Sequence, residues 1–132
     1  MTTATTAAAD TMKVANKLVD LCRRGRYVDA IKTLYSDKTV SIEPCAMGDM
    51  PARTEGIDNI LNKSKQFFEC NEVHGGEIEG PWPHGNRFIV YFKMDITPKQ
   101  GPMAGNRMTT EEAALYTVAD GKVVHEEFFY SM

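Results

Sequence analysis

The dominant period of apolar positions along the chain changes near residue 71. Before it, Met12, Ala15, Leu18, Val19 and Cys22 recur at the spacing of one helix face, with Asp10 as a cap and Gly25 as a stop. Tyr27, Ala30, Ile31, Leu34 and Tyr35 form the stripe of a second helix. Ile57, Ile60, Leu61, Ser64, Phe67 and Phe68 form the stripe of a third, entered at Thr54. Between them Lys38 to Glu43 alternates, is β-branched, and meets Pro44, which predicts a short strand.

After residue 71 the period becomes two. Glu72 to Glu79 predicts a strand weakened at Gly75-Gly76, where a bulge belongs. PWPHGN reads as a turn. Arg87 to Thr97 is the longest run, with Phe88, Val90, Phe92, Met94 and Ile96 on one face. The final stretch, TTEEAALYTVADGKVVHEEFFY, is two β-rich runs around Asp120-Gly121, a strong hairpin signal because both turn residues tolerate positive φ. A plain two-residue turn pairs Tyr116 with His125 and Leu115 with Glu126. Glu112, Tyr116 and His125 then share one face, while Glu126, Phe128 and Tyr130 share the other.

Helices at one end of the chain and antiparallel strands at the other predict an α+β fold, with three helices on the concave side of a curled mixed sheet. The mouth between the third helix and the sheet is the expected ligand site. Residues 1–9 read as a flexible arm and 10–132 as a single domain. The 132 residues suffice for one sizeable core. With 15 basic and 18 acidic residues dispersed along the chain, nucleic acid is not an expected partner. No run reaches membrane-spanning length and no secretory leader is evident, so a cytoplasmic location and no membrane partner are expected. Three scattered cysteines predict neither a disulfide framework nor a zinc knuckle, and the three histidines lack metal-ligand spacing, so no metal is expected.

The chain resembles the nuclear transport factor 2-like superfamily, in its SnoaL-like polyketide-cyclase and ketosteroid-isomerase-like branches. The helical pair at 12–35, TVSIEP, TEGIDNI and above all EEAALYTVADGKVVHEEFFY carry that resemblance. It implies a cone-shaped pocket for a small apolar molecule. It also implies chemistry without a cofactor, by proton transfer through a carboxylate or a His–Asp pair on a hydrophobic carbonyl compound. Such chemistry needs a desolvated carboxylate and a donor for the enolate oxygen. Glu112, Tyr116 and His125 are candidates through their shared face, with Glu43 and Asp95 as further acids. Trp82, Tyr27, Phe67 and Met47 are candidate ligand contacts. Other readings of the same residues stay open. Tyr116 opposite His125 is also an ordinary stabilising cross-strand pair, and Glu126 with Glu127 reads as a solvated or interface charge pair. A non-catalytic carrier or sensor, or an interaction module, would use the same fold. The apolar surplus of Phe88, Val90, Phe92, Leu115 and Phe128 predicts a homodimer through the sheet.

Overall fold

A computed structural model describes residues 2–131. The elements are α1 (Thr2–Arg23), α2 (Tyr27–Leu34), β1 (Tyr35–Ile42), β2 (Arg53–Glu55), α3 (Ile57–Cys70), β3 (Asn71–His84), β4 (Arg87–Pro98), β5 (Met108–Ala119) and β6 (Lys122–Phe129). The strands form one six-stranded sheet in the order β2-β1-β6-β5-β4-β3. β1 runs parallel to β6 and every other neighbouring pair is antiparallel. The helices cover one face, giving the expected α+β arrangement. Among the described residues no helix is long and apolar enough to cross a membrane.

α1 begins at Thr2, so the segment expected as an arm ahead of Asp10 continues the helix; Met1 lies outside the described residues. Val14, Ala15, Leu18, Val19, Leu21 and Cys22 are buried on the sheet. The helix ends as expected at Gly25, whose φ of 74° lets Arg26 N–H reach Leu21 O and Gly25 N–H reach Cys22 O, both at 2.9 Å.

Three local expectations are displaced by tertiary pairing. Arg53–Glu55 is not the start of α3 but an added strand, with Ser41 opposite Thr54 on β1. Gly56, at φ 91°, then turns the chain into α3 while its N–H bonds Thr39 O at 2.9 Å. PWPH is not a turn but the end of β3, with Trp82 opposite Ile89 and His84 opposite Arg87. β3 is an edge strand, so its prolines remove no ladder bond on the solvent side. The break expected at Gly75-Gly76 is present as a register shift between Val73 and Gly75.

The third displacement sets the site. Asp120 and Gly121 both take positive φ, 52° and 74°, as the hairpin signal requires. Ala119 opposes Lys122 and Val118 opposes Val123, but Thr117 then opposes His125. Val124 is an extra residue in β6, a β-bulge. Beyond it the register slips by one, so Tyr116 faces Glu126, not His125, and Leu115 faces Glu127. Glu126 therefore joins Glu112 and Tyr116 beneath the helices, and His125 moves to the outer face.

Phe88, Val90, Phe92, Met94 and Ile96 all point inward and are buried, as β4 alternation predicts. Phe88 stacks on Tyr116, centroids 4.9 Å apart. These side chains are consumed by the core, and Phe128 turns inward as well. Among the described residues, the outer face keeps Trp82 at 53%, Phe129 at 49% and Ile89 at 42% exposure as large exposed apolar groups.

Candidate functional site

Between α3 and the inner sheet face lies a cavity of about 960 Å³. α1 and α2 contribute Leu18, Cys22, Tyr27 and Ile31; α3 contributes Ile60, Lys63, Phe67 and Phe68. The 44–51 loop brings Cys45, Met47 and Met50 to its mouth. Tyr27, Phe67 and Phe68 build an aromatic wall, with Tyr27 5.4 Å and Phe67 5.2 Å from Phe68 between ring centroids.

Polar groups enter this apolar space from three adjacent strands. Glu126 on β6 is 3% exposed, and the Tyr35 hydroxyl bonds its Oε1. Ser41 supplies a second hydrogen bond to the same carboxyl. Burial pushes the Glu126 carboxyl above its ordinary range, while its bonds from Ser41 and Tyr35 pull the other way. Tyr116 shares a hydrogen bond with Tyr35, and burial raises both phenols well above their usual range. Lys63 Nζ donates to Ser41 Oγ at 2.6 Å and to Glu43 Oε2 at 2.9 Å. Glu43 Oε1 accepts the Tyr130 hydroxyl at 2.8 Å. A continuous chain of bonds thus runs from Tyr116 through Tyr35, Glu126, Ser41, Lys63 and Glu43 to Tyr130.

Glu112, on β5, differs. It lines the cavity, and among the described residues no donor bonds its carboxyl. Burial, then the charges of Glu43 and Glu126, push it from 4.5 to about 7, against a lowering pull from Lys63. A carboxyl poised there takes or gives a proton near neutral pH. Burial likewise pushes the Cys22 thiol up to about 12, which removes it as a nucleophile.

Of the residues singled out from sequence, Glu43, Glu112, Tyr116, Tyr27, Phe67 and Met47 line the cavity. His125, Asp95 and Trp82 do not. The bulge turns His125 away. Asp95 lies on the outer face, held by Arg107 at 2.7 and 2.9 Å and kept below its ordinary range by that bond. Trp82 is on the exposed end of β3. Glu126, read from sequence as part of a solvated or interface pair, is instead the deepest acid. Tyr35 could be read from sequence as either a pocket or a core residue, whereas Ser41, Lys63, Tyr130 and Glu126 were missed as site residues. Signals for two of them were present. Lys63 sits on the apolar stripe of α3, three residues after Ile60 and four before Phe67. Tyr130 shares its alternation with Glu126 and Phe128.

A helix-lined cavity closed by a curled sheet, with carboxyls and phenols on the sheet wall, defines a cone-shaped α+β protein of the nuclear transport factor 2-like type. The SnoaL-like domain family model matches residues 9–130, and the chain belongs to that family. A solved Mesorhizobium loti protein, described as a candidate SnoaL-like polyketide cyclase [carbohydrate phosphatase], is 36% identical. The match covers 90% of this chain and 97% of that one, at a TM-score of 0.82. TerC, co-crystallised with polyporic acid, shares the fold at a TM-score of 0.73 and 15% identity, over 92% of each chain. The ectoine dioxygenases of Bordetella parapertussis and Bordetella bronchiseptica are 41% identical over 56 residues, 38% of this chain. That match spans only 18% of those enzymes' length.

Proposed function

We propose that the cavity binds a mostly apolar small molecule bearing a carbonyl group, and that Glu112 moves a proton on it without a cofactor, in an isomerisation or cyclisation. The carrying observation is Glu112 itself: half-buried on the cavity wall, without a bonded donor among the described residues, and pushed up to about 7 by desolvation. In the reaction, the Glu112 carboxylate takes a proton from the carbon beside the carbonyl. The C–H electron pair forms the enolate, and the proton returns at another carbon. SnoaL-like family membership and a fold neighbour co-crystallised with polyporic acid support a ligand-binding cone.

The test is deuterium exchange into a panel of hydrophobic enolisable ketones in D2O, followed by proton NMR. The expected outcome is protein-catalysed exchange that falls about 100-fold or more in Glu112→Gln while ketone binding persists. A second reading, a carrier without chemistry, is favoured by the self-satisfied Tyr35–Glu126–Ser41–Lys63–Glu43 chain. Binding without exchange in the wild-type protein would select it.

A homodimer through the outer sheet face is part of the proposal, now resting on Trp82, Ile89 and Phe129 rather than on the buried β4 residues. Sedimentation showing only monomer at micromolar concentration would remove it. Cytoplasmic residence is proposed too; the three free thiols suit a reducing compartment.

A further inference from the structure

An enolate needs a donor for its oxygen, and three phenols around the cavity are engaged. The Tyr35 hydroxyl bonds Glu126, Tyr116 bonds Tyr35, and Tyr130 donates to Glu43. Lys63 is different. An ammonium carries three N–H donors. One goes to Ser41 Oγ at 2.6 Å and one to Glu43 Oε2 at 2.9 Å. Among the described residues no side-chain or backbone acceptor takes the third. Lys63 lines the cavity, and its Nζ lies 5.3 Å from the centroid of the Phe128 ring, also a lining residue. Two fixed bonds orient the ammonium and leave its remaining donor over an aromatic surface in the cavity.

We propose that this third N–H of Lys63 is the donor that holds the ligand's carbonyl oxygen and the oxyanion formed from it. The assignment rests on the proton-transfer reading for the reaction step, but not for the binding step. It also narrows the ligand to a molecule with one hydrogen-bond-accepting oxygen on an apolar body. The groups facing Lys63 are Glu43 beyond β1, Ser41 on β1, Glu112 on β5 and Glu126 on β6. Charge balances across the step. When Glu112 takes the carbon-bound proton it becomes neutral, and its negative charge reappears on the ligand oxygen beside the ammonium. No net charge is created in the cavity, so the oxyanion adds no new repulsion with Glu43 and Glu126.

The experiment compares para-nitrophenol with its oxygen-free isostere para-nitrotoluene. The wild-type protein should bind the phenol about tenfold or more tightly, as expected for a hydrogen bond to a charged donor. Bound phenol should also show the phenolate absorbance band at lower pH than free phenol. Lys63→Met should bring the two affinities together and abolish the band shift while para-nitrotoluene still binds. Lys63→Arg should keep part of the preference. Where Lys63→Met does not fold because Glu43 is left unpaired, Lys63→Met with Glu43→Gln gives the same comparison. A phenol preference that survives loss of the ammonium would overturn the assignment, as would a wild-type protein with no preference or no binding. A Lys63-dependent preference without ketone exchange would retain Lys63 as the oxygen holder and defeat only the proton-transfer reading.

Discussion

The floor and the wall of the cavity each carry one glutamate, and the two are treated in opposite ways. Glu126 on the floor is nearly inaccessible, yet Tyr35 and Ser41 bond its carboxyl. Glu112 on the wall, on the neighbouring strand and the same sheet face, has the cavity in front of it and, among the described residues, no bonded donor. Burial raises both carboxyls, but only on the floor do fixed hydrogen bonds oppose it. The contrast teaches that depth alone does not make a reactive acid. The satisfied carboxyl is a structural joint between β1 and β6, whereas the unsatisfied one is available to a ligand.

The largest way to break this contrast is to remove the joint. Glu126→Ala strips the acceptor from Tyr35 and Ser41 and opens a void, and should cost about 3–4 kcal/mol. Glu126→Gln keeps an acceptor and should cost far less. Urea midpoints of the two variants measure the difference, and equal losses would show that the bonds are not what matters.

Next comes pH. The Glu112 carboxyl is raised in the folded state, so the native protein binds its proton more tightly than the unfolded chain does. Its contribution to stability is therefore full below pH 4.5 and is lost as pH rises toward about 7. Across that window the loss is about 3 kcal/mol. Glu112→Gln should flatten the slope and be the more stable protein at pH 8. Denaturation curves at several pH values check this, and an unchanged slope would place the titration elsewhere.

The turn that precedes the bulge gives a smaller effect. A Cβ at Gly121 would meet nothing within 4 Å, so Gly121→Val acts only through its φ of 74°. It should cost about 1–2 kcal/mol, and the measured titration of Glu112 should blur if the hairpin loosens. Smallest of all is His125→Ala on the outer face. It should change stability by about 0.5 kcal/mol or less and leave the NMR titration of Glu112 unmoved. A shifted Glu112 midpoint would return His125 to the site.

Much of the architecture is legible in local pattern. The stripes of α1, α2 and α3, the inward run from Phe88 to Ile96 and the Asp120-Gly121 turn all follow from period and φ preference, which are properties of neighbouring residues. The site was legible only where it depends on one strand. Glu112 and Tyr116 lie four apart on β5, so alternation alone puts them on one face, and they stay together in the fold. Whether β6 offers them His125 or Glu126 depends on Val124, a residue whose sequence is plain strand.

That choice belongs to the tertiary structure. The bulge lets β6 satisfy two partners at once, antiparallel β5 on one side and parallel β1 on the other, where Val40 faces His125 and Ser41 faces Glu126. The pairing of β1 with β6 brings Tyr35 and Ser41 to a carboxyl 91 and 85 positions away, and the docking of α3 adds Lys63. Local chemistry determined the helices, the strands and the turn, because backbone preference and side-chain period act over a few residues. Which side of β6 faces inward, and so which residues share the cavity, was decided by contacts between strands distant in sequence, since a one-residue slip costs little locally and reverses every side chain beyond it.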